Sequence, residues 1–166
     1  MRGLSERIEA FAVAAWTGRT EALGGRVVRH DGLATFLTGL PAPPFNPTVV
    51  EGPCRDQAAA LAAAESLYGP AGLPFGIDLD PDRWPELRRA SERAGLTMIE
   101  SRPLMALAAA ELVAVVPPDG VRIGPGGDVL DAVARVDTAA FGGDLGVNRA
   151  FVGGEQMSQS TLKPVA

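Results

Sequence analysis

The chain has one cysteine, one histidine and no excess of positive charge, and each shortage excludes a class of protein. A lone cysteine, Cys54, cannot form an intramolecular disulfide, which fits the reducing cytoplasm. His30 has no second or third ligand at metal-binding spacing, so no metal site is expected. The net charge of -5 works against nonspecific nucleic-acid binding, which needs a positive patch to neutralise phosphates.

Long apolar runs are also missing. No stretch approaches the length of a membrane span, and Glu6, Arg7 and Glu9 interrupt the only apolar patch near the N-terminus, so no export signal is expected. With 166 residues and 46% hydrophobic residues, the chain has the size of one ordinary domain with its own core. We therefore expect a cytoplasmic protein without a membrane partner.

The clearest local signal is a β-hairpin within residues 27–46. Two short apolar and β-branched runs meet at Asp31-Gly32, a dipeptide that supplies the positive φ angles of a tight hairpin turn. Four prolines between residues 41 and 47 then prevent regular strand pairing. A short third strand is expected at residues 48–51.

The rest of the chain alternates helical and strand patterns. Leu4, Ile8, Phe11 and Ala15 recur at helical spacing with Ala12 and Trp16 beside them, which predicts an amphipathic helix over residues 4–17 that ends at Gly18, with Trp16 as a core anchor. Asp80-Pro81 provides a cap and a first-turn proline for a helix that ends at Gly95. The other predicted helices are 55–68, a helix capped by Asp128 with Val129, Leu130, Val133, Val136 and Ala140 on one face, and a helical turn at 146–151. The other predicted strands are 73–79, 96–100, 104–107 and 121–123.

This order of elements predicts an α+β fold with a mixed, mainly antiparallel sheet flanked by helices. It resembles the GNAT superfamily of acetyl-CoA-dependent N-acetyltransferases, whose second helix is followed by three strands, helix, strand, helix and two strands. Local segments resemble the degenerate N-terminal half of two-domain GNAT proteins: Asp31-Gly32-Leu33, Gly39-Leu40-Pro41 with Phe45-Asn46, Trp84-Pro85-Glu86-Leu87, Ala94-Gly95-Leu96-Thr97, Pro103-Leu104-Met105-Ala106-Leu107, and Arg135-Val136-Asp137 with Ala140-Phe141-Gly142.

The resemblance implies a division of the chain. Residues 1–113 form a GNAT-like unit and 114–120 a linker. Residues 121–152 supply the opening strand and helices of a second unit, or complete the first, and 153–166 form an irregular tail; the chain then stops before a catalytic half. The implied partners are a second copy of the chain or a GNAT partner domain.

Acetyl-CoA is the cofactor that the resemblance implies. In the family, backbone N-H groups of an Arg/Gln-x-x-Gly-x-Gly/Ala loop hold the cofactor pyrophosphate at a helix N-terminus. The corresponding residues 51–57 contain one glycine, Pro53 without an N-H, and two carboxylates. Val50 and Arg55 are the candidate cofactor contacts, while Phe45, Asn46 and Phe75 are the candidate substrate cleft. No catalytic residue can be named.

Three functions follow from these observations. The first is a non-catalytic half that serves as a scaffold, shapes a substrate or dimerises. The alternatives are an active acetyltransferase acting on a small amine and a small-ligand binding protein. We interpret His30 as a strand residue, Cys54 as a structural thiol, and Asp78, Asp80 and Asp82 as capping or surface groups. Residues 124–127 are interpreted as a turn.

Overall fold

The computed structural model describes residues 3–73, 75–101, 116, 118–121 and 129–153. Its fold is α+β, as the sequence predicts. The described helices are α1 (Leu4–Ala22), α2 (Gln57–Glu65), α3 (Pro85–Arg93), α4 (Leu130–Phe141) and α5 (Leu145–Gly153), and the described strands are β1 (Arg26–His30), β2 (Leu33–Leu37), β3 (Thr48–Val50) and β4 (Ile77–Asp78).

The described strands form one mixed sheet in the order β1-β2-β3-β4. β1 and β2 form the expected antiparallel hairpin, β2 pairs antiparallel with β3, and β3 pairs parallel with β4. Asp31 has φ 41° and Gly32 has φ 83°, both in the left-handed region that a two-residue hairpin turn requires.

Helix α1 covers one face of the sheet, with an apolar stripe that matches the predicted one at Trp16 but not at its exposed N-terminal positions. Leu4 and Phe11 are exposed, whereas Val13 and the half-buried Trp16 pack against Phe36 and its neighbours. The helix also continues through Gly18 to Ala22. A glycine inside a helix costs only about 1 kcal/mol, so packing of the flanking turns against the sheet can offset it.

Helices α2 and α3 cover the opposite face. Leu61 and Ala64 of α2 and Leu87 of α3 join Leu33 and Val50 in one buried cluster. Helix α2 lies within the predicted range of residues 55–68 and is followed by a 3-10 turn at Gly69–Ala71. The two helix layers with the sheet between them therefore give two cores, one on each face.

Several predicted boundaries are wrong. Asp80 caps a turn as predicted, accepting from the N-H groups of Asp82 and Arg83. The helix nevertheless begins only at Pro85, because Pro85 has no N-H to bond the carbonyl of residue 81 and Trp84 before it takes a non-helical conformation, φ -120° and ψ 56°. Residues 96–100 form no strand, and among the described residues of 73–79 only Ile77–Asp78 form one. The predictions at 104–107, 122–127 and Asp128 lie outside the described residues.

Helices α4 and α5 form a helical hairpin, joined by residues 142–144. Asn148 is buried between them and donates to the Thr138 hydroxyl at 2.8 Å. Phe151 attaches the hairpin to the rest of the chain by stacking on Phe45, with ring centroids 4.1 Å apart. The predicted apolar face of α4, however, is exposed at Val129, Val133 and Val136, because α4 packs on α5 through Ala134 and Thr138 instead.

The connection between β2 and β3 is held by one buried side chain, Asn46. Its Oδ1 accepts from the N-H and hydroxyl of Thr38, and its Nδ2 donates to the carbonyls of Leu40 and Ala42. Its own carbonyl accepts from the Tyr68 hydroxyl at 2.9 Å. This single amide therefore replaces the ladder hydrogen bonds that the proline-rich loop cannot make.

We expect Asn46→Ala to lower the free energy of unfolding by about 2 to 4 kcal/mol, because it leaves buried partners without hydrogen bonds. Urea unfolding measures this loss. Ser66→Ala, at an exposed position after α2, is the control and should change the value by less than about 0.5 kcal/mol. Equal, small effects of both variants would contradict the role assigned to Asn46.

Candidate functional site

The residues just before α2, 51–56, form the loop that corresponds to the predicted cofactor site. The carboxylate of Asp31 already binds the N-H groups of this loop. Asp31, from the hairpin turn, accepts from the N-H of Arg55 at 3.0 Å and from the N-H of Asp56 at 2.9 Å through Oδ2. Its Oδ1 accepts from Arg55 Nε at 3.1 Å. These two N-H groups and this guanidinium are the donors that an anionic ligand would need at this position.

The hairpin turn lies directly against this loop. The carbonyl of Gly32 accepts from the N-H of Glu51 at 2.8 Å and of Gly52 at 3.1 Å. A Cβ on Gly32 would lie 2.5 Å from the carbonyl oxygen of Gly52, so this approach requires a glycine. The turn is thereby placed so that the Asp31 carboxylate reaches the start of α2.

The hydrogen bonds from Asp56 and Arg55 lower the pKa of Asp31 from 3.8 to about 2. Burial raises the pKa of the neighbouring Cys54 thiol, and the negative charge of Asp31 raises it further. A thiol at a helix N-terminus often has a lowered pKa, but here the negative charge of the Asp31 carboxylate, which binds the N-H groups of Arg55 and Asp56, opposes that effect. The raised pKa of Cys54 is the direction expected for a structural thiol rather than a reactive one.

The two candidate cofactor residues occupy different environments. Val50 is buried in the core beneath α2, so its side chain is not open to a ligand. The Arg55 side chain is 92% exposed and pairs with Asp31. In the first turn of α2, the N-H of Ala59 is bound by the side chain of Asp56.

The three candidate cleft residues contact different parts of the structure. Phe45 stacks on Phe151, and the Asn46 side chain has both of its polar atoms bound inside its loop. Phe75 packs edge-on against Tyr68, with ring centroids 5.2 Å apart, and lines a groove of about 230 Å³ between α2 and α3. Their role in substrate binding stays a prediction.

A buried chain of three hydroxyl groups was not apparent from the sequence. Tyr68, Thr48 and Thr35 follow one another at 2.7 and 2.9 Å beneath α2. Burial raises the pKa of Tyr68 to about 12. The two threonines occupy opposite positions in the β2–β3 ladder, a signal that becomes visible only once the strand register is known.

A second contact absent from the sequence patterns links α1 to the segment before α3. Arg83 pairs with Glu9 at 3.0 Å and with Glu6 at 3.5 Å, and the Trp84 indole N-H donates to Glu9 at 2.7 Å. These groups bridge elements far apart in sequence, and the partly buried geometry favours a structural role.

Within the described ranges, no group of three or more histidine, cysteine or acidic side chains is arranged to hold a metal ion. His30 lies exposed at the end of β1, and Asp80 is occupied by its turn. In the same part of the chain, every helix is too short or too polar to cross a membrane. The chain matches no protein-family model, no curated protein and no solved structure.

The low pKa of Asp31 predicts acid-sensitive stability. The ionised carboxylate stabilises the fold fully above the ordinary pKa of 3.8, and this contribution is lost as pH falls toward about 2. Asp31→Asn suits the left-handed turn position but lacks the charge. The melting temperatures of wild type and Asp31→Asn should therefore differ at about pH 6 and converge near pH 2.

Asp82→Asn removes an exposed carboxylate from another loop and is the matched control. If the melting temperature of the wild type exceeded that of Asp31→Asn by the same amount from about pH 6 down to about pH 2, the result would contradict the assigned hydrogen bonds.

Proposed function

We propose that this chain is a non-catalytic, GNAT-like unit that acts as a scaffold, shaping a substrate or pairing with another polypeptide, and that α2 does not hold acetyl-CoA. The single observation that carries the proposal is the Asp31 carboxylate on the N-H groups of Arg55 and Asp56. The family assignment itself rests on the element order and local segments of the sequence.

A cofactor pyrophosphate would need the same donors as Asp31. It would have to displace a carboxylate that is held by two backbone N-H groups and a guanidinium. If the carboxylate stayed, the pyrophosphate would meet like charge at close range, with Glu51 and Asp56 adding to the repulsion. Pro53 contributes no N-H to the loop. Both routes disfavour cofactor binding here.

Titration calorimetry with acetyl-CoA tests this proposal. We expect no binding tighter than about 1 mM for the wild type, which corresponds to less than about 4 kcal/mol of binding free energy. Asp31→Asn should bind acetyl-CoA more strongly than the wild type does, because the repelling charge is gone while Arg55 remains.

Tight wild-type binding would overturn the proposal. If that binding survived Arg55→Ala, the cofactor would lie at another loop, and the active acetyltransferase would become the better interpretation. Asp82→Asn again serves as the control for a change in net charge alone.

The exposed apolar face of α4 supports a pairing role. Val129, the N-cap of α4, and Val133 and Val136 within it are 49%, 42% and 68% exposed, and they recur at helical spacing on one side. Contiguous exposed apolar residues on a protein surface commonly mark an interaction site. This surface is therefore the place where we expect a second copy or a partner domain to bind.

Sedimentation velocity over a range of protein concentrations tests the homodimer. We expect self-association of the wild type, and a monomer for Val133→Glu and Val136→Glu, because each buries a charge in the interface. Ala150→Glu, on the exposed side of α5, is the control and should still associate. A wild type that stays monomeric at all concentrations would contradict the homodimer.

A further inference from the structure

A groove of about 210 Å³ lies between the β1–β2 hairpin and α2. It is separate from the α2 N-terminus and from the exposed face of α4. Its walls are mainly apolar, with Thr35 on the sheet side and Arg29 and His30 toward the exposed end of β1; the apolar wall residues are Val28, Leu33, Ala63, Ala64 and Leu67.

The buried hydroxyl chain ends at this groove, and its hydrogen bonds can run in only one direction. Tyr68 has one hydroxyl hydrogen, which it donates to the carbonyl of Asn46 at 2.9 Å. Thr48 must therefore donate to the Tyr68 oxygen, 2.7 Å away. Since the Thr48 hydrogen is used, Thr35 must donate to Thr48 across 2.9 Å.

This direction determines what Thr35 can offer to a ligand. Its only hydroxyl hydrogen is bound to Thr48, so its oxygen is left as an acceptor with a free lone pair. Thr35 is 2% exposed and lines the groove, so a ligand in the groove would lie against this side chain among apolar neighbours. A ligand donor bound to this oxygen would be shielded from water. A hydrogen bond in such an environment is electrostatically stronger than one exposed to solvent.

We propose that this groove binds a small apolar molecule that carries one hydroxyl or N-H donor, with the donor bound to Thr35 and the apolar body against Val28, Leu33 and Leu67. The volume suits such a ligand, because a dry apolar cavity of about 150 Å³ already holds a benzene molecule. This site is independent of acetyl-CoA and of the proposed scaffold role.

The test is an NMR titration of the full chain with p-cresol and with p-xylene, which share their shape but differ in the hydroxyl. We expect p-cresol to shift the amide signals of Val28, Thr35 and Ala63, and to bind about 3- to 10-fold more tightly than p-xylene, the worth of one hydrogen bond. No saturable shift at these amides with p-cresol, or equal affinities of the two probes, would overturn the proposal.

Two isosteric variants test the direction of the hydroxyl chain. Thr35→Val removes the acceptor, so the preference for p-cresol should disappear while p-xylene binding persists. Thr48→Val removes the hydrogen-bond partner of the Thr35 hydroxyl hydrogen, which could then be donated to a ligand. The groove should therefore gain affinity for p-methylanisole, a probe that can accept a hydrogen bond but not donate one. A preference for p-cresol that is unchanged in Thr35→Val would overturn the assignment.

A third pair of variants tests the location without touching the hydroxyl chain. Ala63→Leu extends a side chain into the groove and should abolish p-cresol binding. Ala62→Leu, the neighbouring residue that faces the α2–α3 groove, should leave it unchanged. If both variants bound p-cresol like the wild type, the ligand would lie elsewhere and the proposal would fail.

Discussion

The attachment of the β1–β2 turn to the start of α2 is the contact on which most of the described fold depends. Gly32 binds the loop through its carbonyl, and Asp31 binds it through its carboxylate. Because the turn is held at this point, Leu33 faces Val50 in the strand ladder and α2 begins directly above the sheet. The core between α2 and the sheet follows from that placement.

The same attachment decides what chemistry the loop can support. A helix N-terminus attracts one anion, and a folded chain can satisfy it with its own side chain or leave it for a ligand. Here the chain uses Asp31, which lowers the pKa of that carboxylate and contributes to the raised pKa of Cys54. The Asp31 carboxylate and an external anion would therefore bind the same two N-H groups, and in the structure Asp31 binds them.

The sequence predicts the local parts of this arrangement but not the contacts that join them. Asp31-Gly32 predicts the hairpin turn because the required φ angles are a property of two adjacent residues. The sequence could not predict that the Asp31 side chain binds residues 55 and 56, because this contact depends on how two distant segments pack. The same reason explains α1: Leu4 and Phe11 make a regular apolar stripe, yet the sheet packs on Val13 together with the expected Trp16. At α3, two prolines fit a first helical turn, and the helix begins at the second, because Pro85 lacks the N-H that a helix starting at residue 81 would need there.

The position of Phe151 links the C-terminal helices to the candidate cleft. Its ring stacks on Phe45, the Arg19 guanidinium lies 4.3 Å above it, and Arg19 also donates to its carbonyl. Trp16 completes the aromatic contact at 6.0 Å. A ligand that used the same face of Phe45 would have to displace Phe151 and break the cation–π contact, so binding there would be coupled to release of the α4–α5 hairpin. The groove beneath α2 carries no such cost, because its acceptor belongs to the sheet itself.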